Sequence, residues 1–115
     1  MAAPIKFRKS AIEFSRSQKN ATLRESTNVD FGVPLRDAEA FVHGVDLRFI
    51  SYLGTDEHWA VHRVYHHITD VNIVGGDNDR VRVDAEINLS NLDDHPHTGK
   101  LWVVVIGVVK DQANK

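Results

Sequence analysis

The sequence contains no cysteine, which excludes a disulfide framework, a thiolate nucleophile and a zinc ribbon. Proline is scarce, at 3 residues, and glycine is ordinary at 7, so the chain is neither collagen-like nor a Pro-rich linker. Charge of one sign is also missing. Fourteen Lys and Arg stand against 16 Asp and Glu, a formal charge of −2, which disfavours a non-specific grip on nucleic acid. No apolar run approaches the ~18 residues of a bilayer-crossing helix, so no membrane insertion is expected. Met1 to Lys9 lacks the apolar stretch of a signal peptide. With no cysteine either, the location stays unassigned, the cytoplasm and a non-classical export route both being open.

The composition that is there is that of a folded domain. The 115 residues, 42% hydrophobic and 26% charged, are read as one domain over 1–115 with one core. Strict alternation runs through Arg80–Leu89: Val81, Val83, Ala85, Ile87 and Leu89 alternate with Arg82, Asp84, Glu86 and Asn88. That period of two predicts a strand with one dry and one wet face. The Gly75-Gly76-Asp77-Asn78-Asp79 cluster before it predicts a hairpin turn. A weaker alternation at Phe41–Phe49 puts Phe41, Val45, Leu47 and Phe49 on one face, with Asp46 and Arg48 opposite. Leu23, Val29 and Phe31 share a parity before Gly32-Val33-Pro34. Ile5 and Phe7 are odd whereas Ile12 and Phe14 are even, which predicts a bulge or break around Lys9-Ser10. A similar switch falls within Trp59–Val71. Helical spacing is confined to a turn or two in Pro34–Val45. The sum is an all-β chain, an antiparallel β-sandwich of about six strands.

Leu101–Val109 is apolar at nearly every position. Antiparallel sheets normally leave one face wet, so a strand apolar on both faces predicts that something covers the outer one. The favoured cover is another subunit, making the chain a homo-oligomer. The alternative cover is an N-terminal segment of the same chain.

Two stretches carry candidate chemistry. Seven histidines are present, and His58, His62, His66 and His67 cluster beside Asp56 and Glu57. On a strand these imidazoles split between two faces, and no HExxH occurs, so no metal site is assigned. Protonating the cluster crowds positive charge around Arg63, which predicts falling stability between about pH 7 and 5, whereas pairing with Asp56, Glu57 or Asp70 would reverse the sign. The second stretch is the polar connection Asn88–Lys100, with Asp93, Asp94, His95 and His97. Planar acceptors and donors beside an aromatic ring, Trp59 or Trp102, are the kit that binds a neutral polyol. No GxSxG elbow, P-loop or GxGxxG is present, and Asp93 and Asp94 are adjacent, so the chain is expected not to be an enzyme and no cofactor is assigned.

The segments Val29–Leu35, Ala38–Asp46, His62–Val74, Arg80–Leu89 and Trp102–Val109 together resemble the H-type lectin domain. The chain also resembles short uncharacterised bacterial β-sandwich domains with G-x-D-L, D-x-H and D-D-P-x-x-G-x-V-x-V-V-V-I elements. Those fall at Gly44–Leu47, Asp56–His58 and Asp93–Ile106, with His95 as an inserted residue. The H-type lectin resemblance implies a six-stranded sandwich that trimerises and binds galactose-type sugars near subunit boundaries. It implies Asp46, Arg63 and the Asp93–His97 loop (Asp93, Asp94, His95, His97) as ligand contacts. The W-x-D-T segment of that family is absent before the last strand.

The leading expectation is a non-enzymatic carbohydrate-binding module acting as an oligomer, a trimer before a dimer, through Leu101–Val109. The alternative is a structural protein–protein interaction subunit of a larger viral or secreted assembly.

Overall fold

The computed structural model describes residues 4–14, 22–50, 56–57, 63–90 and 97–110. Those residues are all-β, with no helix among them. The strands are β1 (Ile5–Phe14), β2 (Leu23–Asp30), β3 (Leu35–Ile50), β4 (Asp56–Glu57), β5 (Arg63–Val74), β6 (Arg80–Ser90) and β7 (His97–Val109). They form two antiparallel sheets of order β1-β7-β3-β4 and β2-β6-β5, packed face to face. The chain is therefore a β-sandwich of six long strands, with the two-residue β4 added at one edge.

The two central strands supply the middle of the core. Val81, Val83, Ala85, Ile87 and Leu89 of β6 and Leu101, Val103, Val105 and Val109 of β7 are all buried. Each alternates with an outward residue, as the period-two pattern requires. Gly107 interrupts the inward row of β7 for a packing reason. A Cβ there would come within 2.9 Å of the Phe31 ring and 3.0 Å of Leu35, which fill the space. That crossing from β2 to β3 is also tied by backbone. Phe31 donates to Asp79 O and Leu35 to Asn78 O, while Lys110 donates to Pro34 O. The hairpin between β5 and β6 is the one expected at Gly75–Asp79, and Asn78 takes the positive φ of 56° that its tight turn demands.

Three local expectations change. The bulge placed around Lys9-Ser10 is absent, and β1 pairs with β7 in unbroken register from Ile5↔Val108 to Phe14↔Gly99. The change of parity marks a change of buried face instead. Ile12 and Phe14 point into the core, whereas Ile5 and Phe7 point out. Phe41 does not share a face with Val45 and Leu47, because the β3–β7 register shifts between Val42 and Gly44. Phe41 pairs with outward Val104, and Val45 with inward Leu101. The Pro34–Val45 stretch forms no helical turn, since strand β3 begins at Leu35. The switch expected in Trp59–Val71 is a register shift between Ile68 and Asp70. Trp59 and Val61 lie outside the described residues.

Candidate functional site

With both inner faces committed to the core, the described strands present side chains to a ligand on their two outer faces. Register fixes what each displays, because cross-strand partners project to the same side of a sheet. On the β1-β7-β3 sheet the outward rows read Ile5–Val108–Asp37, Phe7–Ile106–Glu39, Lys9–Val104–Phe41 and Ala11–Trp102–Gly44. The next rows are polar: Glu13–Lys100–Asp46, then Thr98–Arg48. One end of this face is thus apolar and the other ionic.

The apolar end is accessible. Ile5 is 56% exposed, Phe7 62% and Phe41 51%, while Trp102, Val104, Ile106 and Val108 are half-buried by these neighbours. Among the described residues no N-terminal segment lies over the face; β1 runs beside β7 as its hydrogen-bonded neighbour.

The ionic end forms a shallow recess of about 250 Å³ lined by Glu13, Asp46, Arg48, Thr98, Gly99 and Lys100. Asp46 is held by Arg48 in a two-pronged pair, Nε to Oδ1 at 3.2 Å and Nη2 to Oδ2 at 2.7 Å. The Thr98 hydroxyl donates to Phe14 O at 2.6 Å. Trp102 borders the recess, its ring centroid 5.2 Å from Lys100 Nζ. That ring sits over Gly44, where a Cβ would approach Trp102 Cε3 to 3.0 Å. Gly44 therefore lets the indole settle against the sheet. Carboxylate, hydroxyl and ammonium groups beside an aromatic ring are the chemistry that meets a neutral hydroxylated ligand.

The outer face of β2-β6-β5 is different throughout. Arg24 pairs with Glu86 at 3.0 Å, and Arg82 with Asp84 at 3.0 Å. The Tyr65 hydroxyl donates to Glu86. That hydrogen bond, with the positive charge of Arg24 beside it, holds the Glu86 carboxyl below its ordinary pKa. An open depression of about 540 Å³ lies between Arg24, Ser26, Thr69, Asp70, Arg82 and Asp84. Arg24 and Arg82 in its lining stand against Glu25, Asp70 and Asp84, a formal excess of one negative charge.

The candidate residues from the sequence separate. Asp46 lies in the recess on β3, while Arg63 opens β5 in the other sheet, paired with Ser90; its side chain lies outside the described residues. Asp93, Asp94 and His95 also lie outside them. His97 opens β7 and is fully buried, on the register that faces inward. Burial pushes its pKa below the ordinary histidine value. Asp46 and His97 are thus on opposite faces of one sheet. His66 and His67 are exposed on β5, on alternate faces, and the His67 ring lies 6.3 Å from that of Tyr65. His58 and His62 lie outside the described residues, and among those described no three His, Asp or Glu side chains converge as metal ligands.

No family model, no curated protein and no solved structure matches this chain.

Alternation sets Arg48 on the face of Asp46, but sequence reasoning did not find Glu13, Thr98 and Lys100 around it, nor Phe7 and Phe41 around the outer row of β7. The unused signal was the odd parity of Ile5 and Phe7. It matches the two-faced apolar character of Leu101–Val109, the strand with which they pair.

Proposed function

We propose that this chain is a non-enzymatic structural interaction module that docks through the outer face of its four-stranded sheet. The observation that carries this reading is the run of outward apolar rows from Ile5–Val108 to Ala11–Trp102, with Phe7 and Phe41 more than half exposed. Monomeric proteins seldom leave a contiguous apolar face to water, and burying it returns roughly 25 cal/mol per Å². Residues on this face are costly for solubility and unnecessary for the core, which is complete on the other side of the same strands. The test replaces Ile106 with Asp and follows molar mass by light scattering, with circular dichroism as the control for folding. The expected result is a folded chain that loses the assembly of the wild type. The proposal is lost if Ile106→Asp changes neither assembly nor the binding of a hydrophobic dye.

A carbohydrate-binding reading, which the H-type lectin resemblance implies, is favoured by a separate observation. Asp46, Glu13, Thr98 and Lys100 offer hydroxyl-binding atoms beside the Trp102 ring. Stacking on that ring and hydrogen bonds to the recess are what a sugar needs, and a single weak site gains avidity from an oligomer. A glycan array decides this reading. It requires a signal that Trp102→Ala and Asp46→Ala each remove without changing the melting temperature by more than a few degrees.

A further inference from the structure

We infer that the occupant of the apolar face is a second copy of this chain, docked sheet against sheet about a two-fold axis that crosses β7 between Ile106 and Val104. The inference rests on the docking reading above and names its partner. Two exposed side chains of opposite charge flank the apolar rows: Lys9 on β1 and Glu39 on β3. Among the described residues neither has an ion-pair partner within its own chain. They lie one row apart on opposite sides of β7.

A face-to-face dimer with a two-fold axis in the interface superimposes each point on its mirror image across that axis. Strands about 4.8 Å apart and outward residues about 6.8 Å apart along a strand set the scale. The axis that lays Lys9 over Glu39 of the second copy then lies about 35° oblique to the strands, so the sheets cross nearer the orthogonal packing class than the aligned one. The same operation fixes every other contact. Phe7 falls between Ile106 and Val108 of the second copy, and Val104 falls beside its Phe41. Asp37 moves out past the edge of β1, on the side where Lys9 is the nearest outward charge. Apolar meets apolar, and each opposite charge is met twice, as an isologous contact requires. An axis parallel to the strands lacks this property, because it sets Phe7 over Glu39 and Ile5 over Asp37.

Three strands about 4.8 Å apart make the face about 14 Å wide, so two such faces crossing at about 70° overlap over roughly 220 Å² in projection on each copy. A pleated face carries more accessible area than its projection, yet the total stays below the ~1,000 Å² at which stable specific interfaces begin. Association is accordingly expected to be reversible and concentration-dependent.

Charge reversal on the full chain tests the arrangement. Lys9 and Glu39 are exposed, so Lys9→Glu and Glu39→Lys leave the core untouched. Sedimentation velocity from about 5 to 500 µM is expected to show a wild-type dimer. Each single variant should dimerise at least about tenfold more weakly, since two like-charged pairs replace two opposite ones. Mixing the two variants restores both pairs at once and should recover a heterodimer of wild-type strength. Self-association that Ile106→Asp abolishes but charge reversal leaves unchanged, that mixing fails to rescue, or that gives a trimer overturns the two-fold arrangement and leaves the docking reading standing. A wild type monomeric throughout overturns the second copy as occupant. The docking reading itself falls only if Ile106→Asp leaves both assembly and binding of a hydrophobic dye unchanged.

Discussion

β6 and β7 occupy equivalent places, each in the middle of its sheet, and their inward rows are interchangeable in character. Val81, Val83 and Ile87 on one and Leu101, Val103 and Val105 on the other are all fully buried. Their outward rows share nothing. β6 shows Arg82, Asp84 and Glu86, held in ion pairs and by the Tyr65 hydroxyl, whereas β7 shows Trp102, Val104, Ile106 and Val108. The inward rows explain why the chain folds as a sandwich. Only the outward rows distinguish a face that water can solvate from one that needs a partner.

Breaking the likeness of the inward rows should have the largest effect. Val83→Asp in β6 and Val103→Asp in β7 each place a charge where the wild-type side chain is fully buried. An uncompensated buried charge costs several kcal/mol, a large share of a stability of about 5–15 kcal/mol, so both variants are expected to be unfolded or nearly so. The milder Ile87→Ala and Leu101→Ala should each cost about 2–5 kcal/mol in denaturant titrations. A tolerated Asp at either site would mean that the two rows do not form one core.

The unlike outward rows come next. Val104→Asp on β7 is expected to leave the fold intact and to lower the assembled fraction more than tenfold at a fixed concentration. Removing one charge from a face that is already ionic should do nothing comparable: Arg82→Gln on β6 should leave sedimentation unchanged. Equal effects from the two substitutions would erase the distinction between the faces.

How much of this was legible in advance follows from which forces act locally. Inward alternation on β6 is legible because its outer face meets water, so hydrophobicity itself carries the period. On β1 the same reasoning misleads. Ile5 and Phe7 are apolar on the outer face and Ile12 and Phe14 on the inner, and a rule that assumes one wet face reads that as a broken strand. Phe41 was misplaced because a register shift beside Gly44 depends on backbone geometry and on the Trp102 ring. The recess around Asp46 joins Glu13 of β1, Arg48 of β3 and Lys100 of β7, residues far apart in sequence that only strand order and register bring together. The hairpin at Gly75–Asp79 was readable because turn chemistry is local.

A third prediction sets the buried end of β7 against the exposed histidines of β5. His97 is fully buried, and its folded-state pKa lies below the ordinary value. The native state then binds a proton less readily than the unfolded chain does. Stability owed to neutral His97 is full above the unfolded pKa near 6.5, and it is lost as pH falls through that value toward the folded one. Melting temperatures at pH 7, 6 and 5 should therefore decline toward acid, and His97→Leu should flatten the slope. A slope unchanged by His97→Leu but removed by replacing His66 and His67 would place the acid sensitivity on β5 instead.

The smallest effect is expected on the ionic face of β6. Arg82 and Asp84 are two residues apart on one strand, 3.0 Å between Nε and Oδ1, with side chains 55% and 29% exposed. Water screens such a pair, and holding two long side chains in one geometry costs entropy, so exposed pairs are worth between nothing and about 1 kcal/mol. Arg82→Ala and Asp84→Ala are each expected to change stability by about 0.5 kcal/mol or less, and the double variant should show little coupling. Raising salt should leave that comparison nearly unchanged. Association through the other face should behave differently, because Lys9 opposite Glu39 of a second copy loses attraction as ions screen it. Sedimentation at about 0.05 and 0.5 M salt separates the two: a dimer that tightens with salt through apolar contact alone would remove the charged pair from the interface.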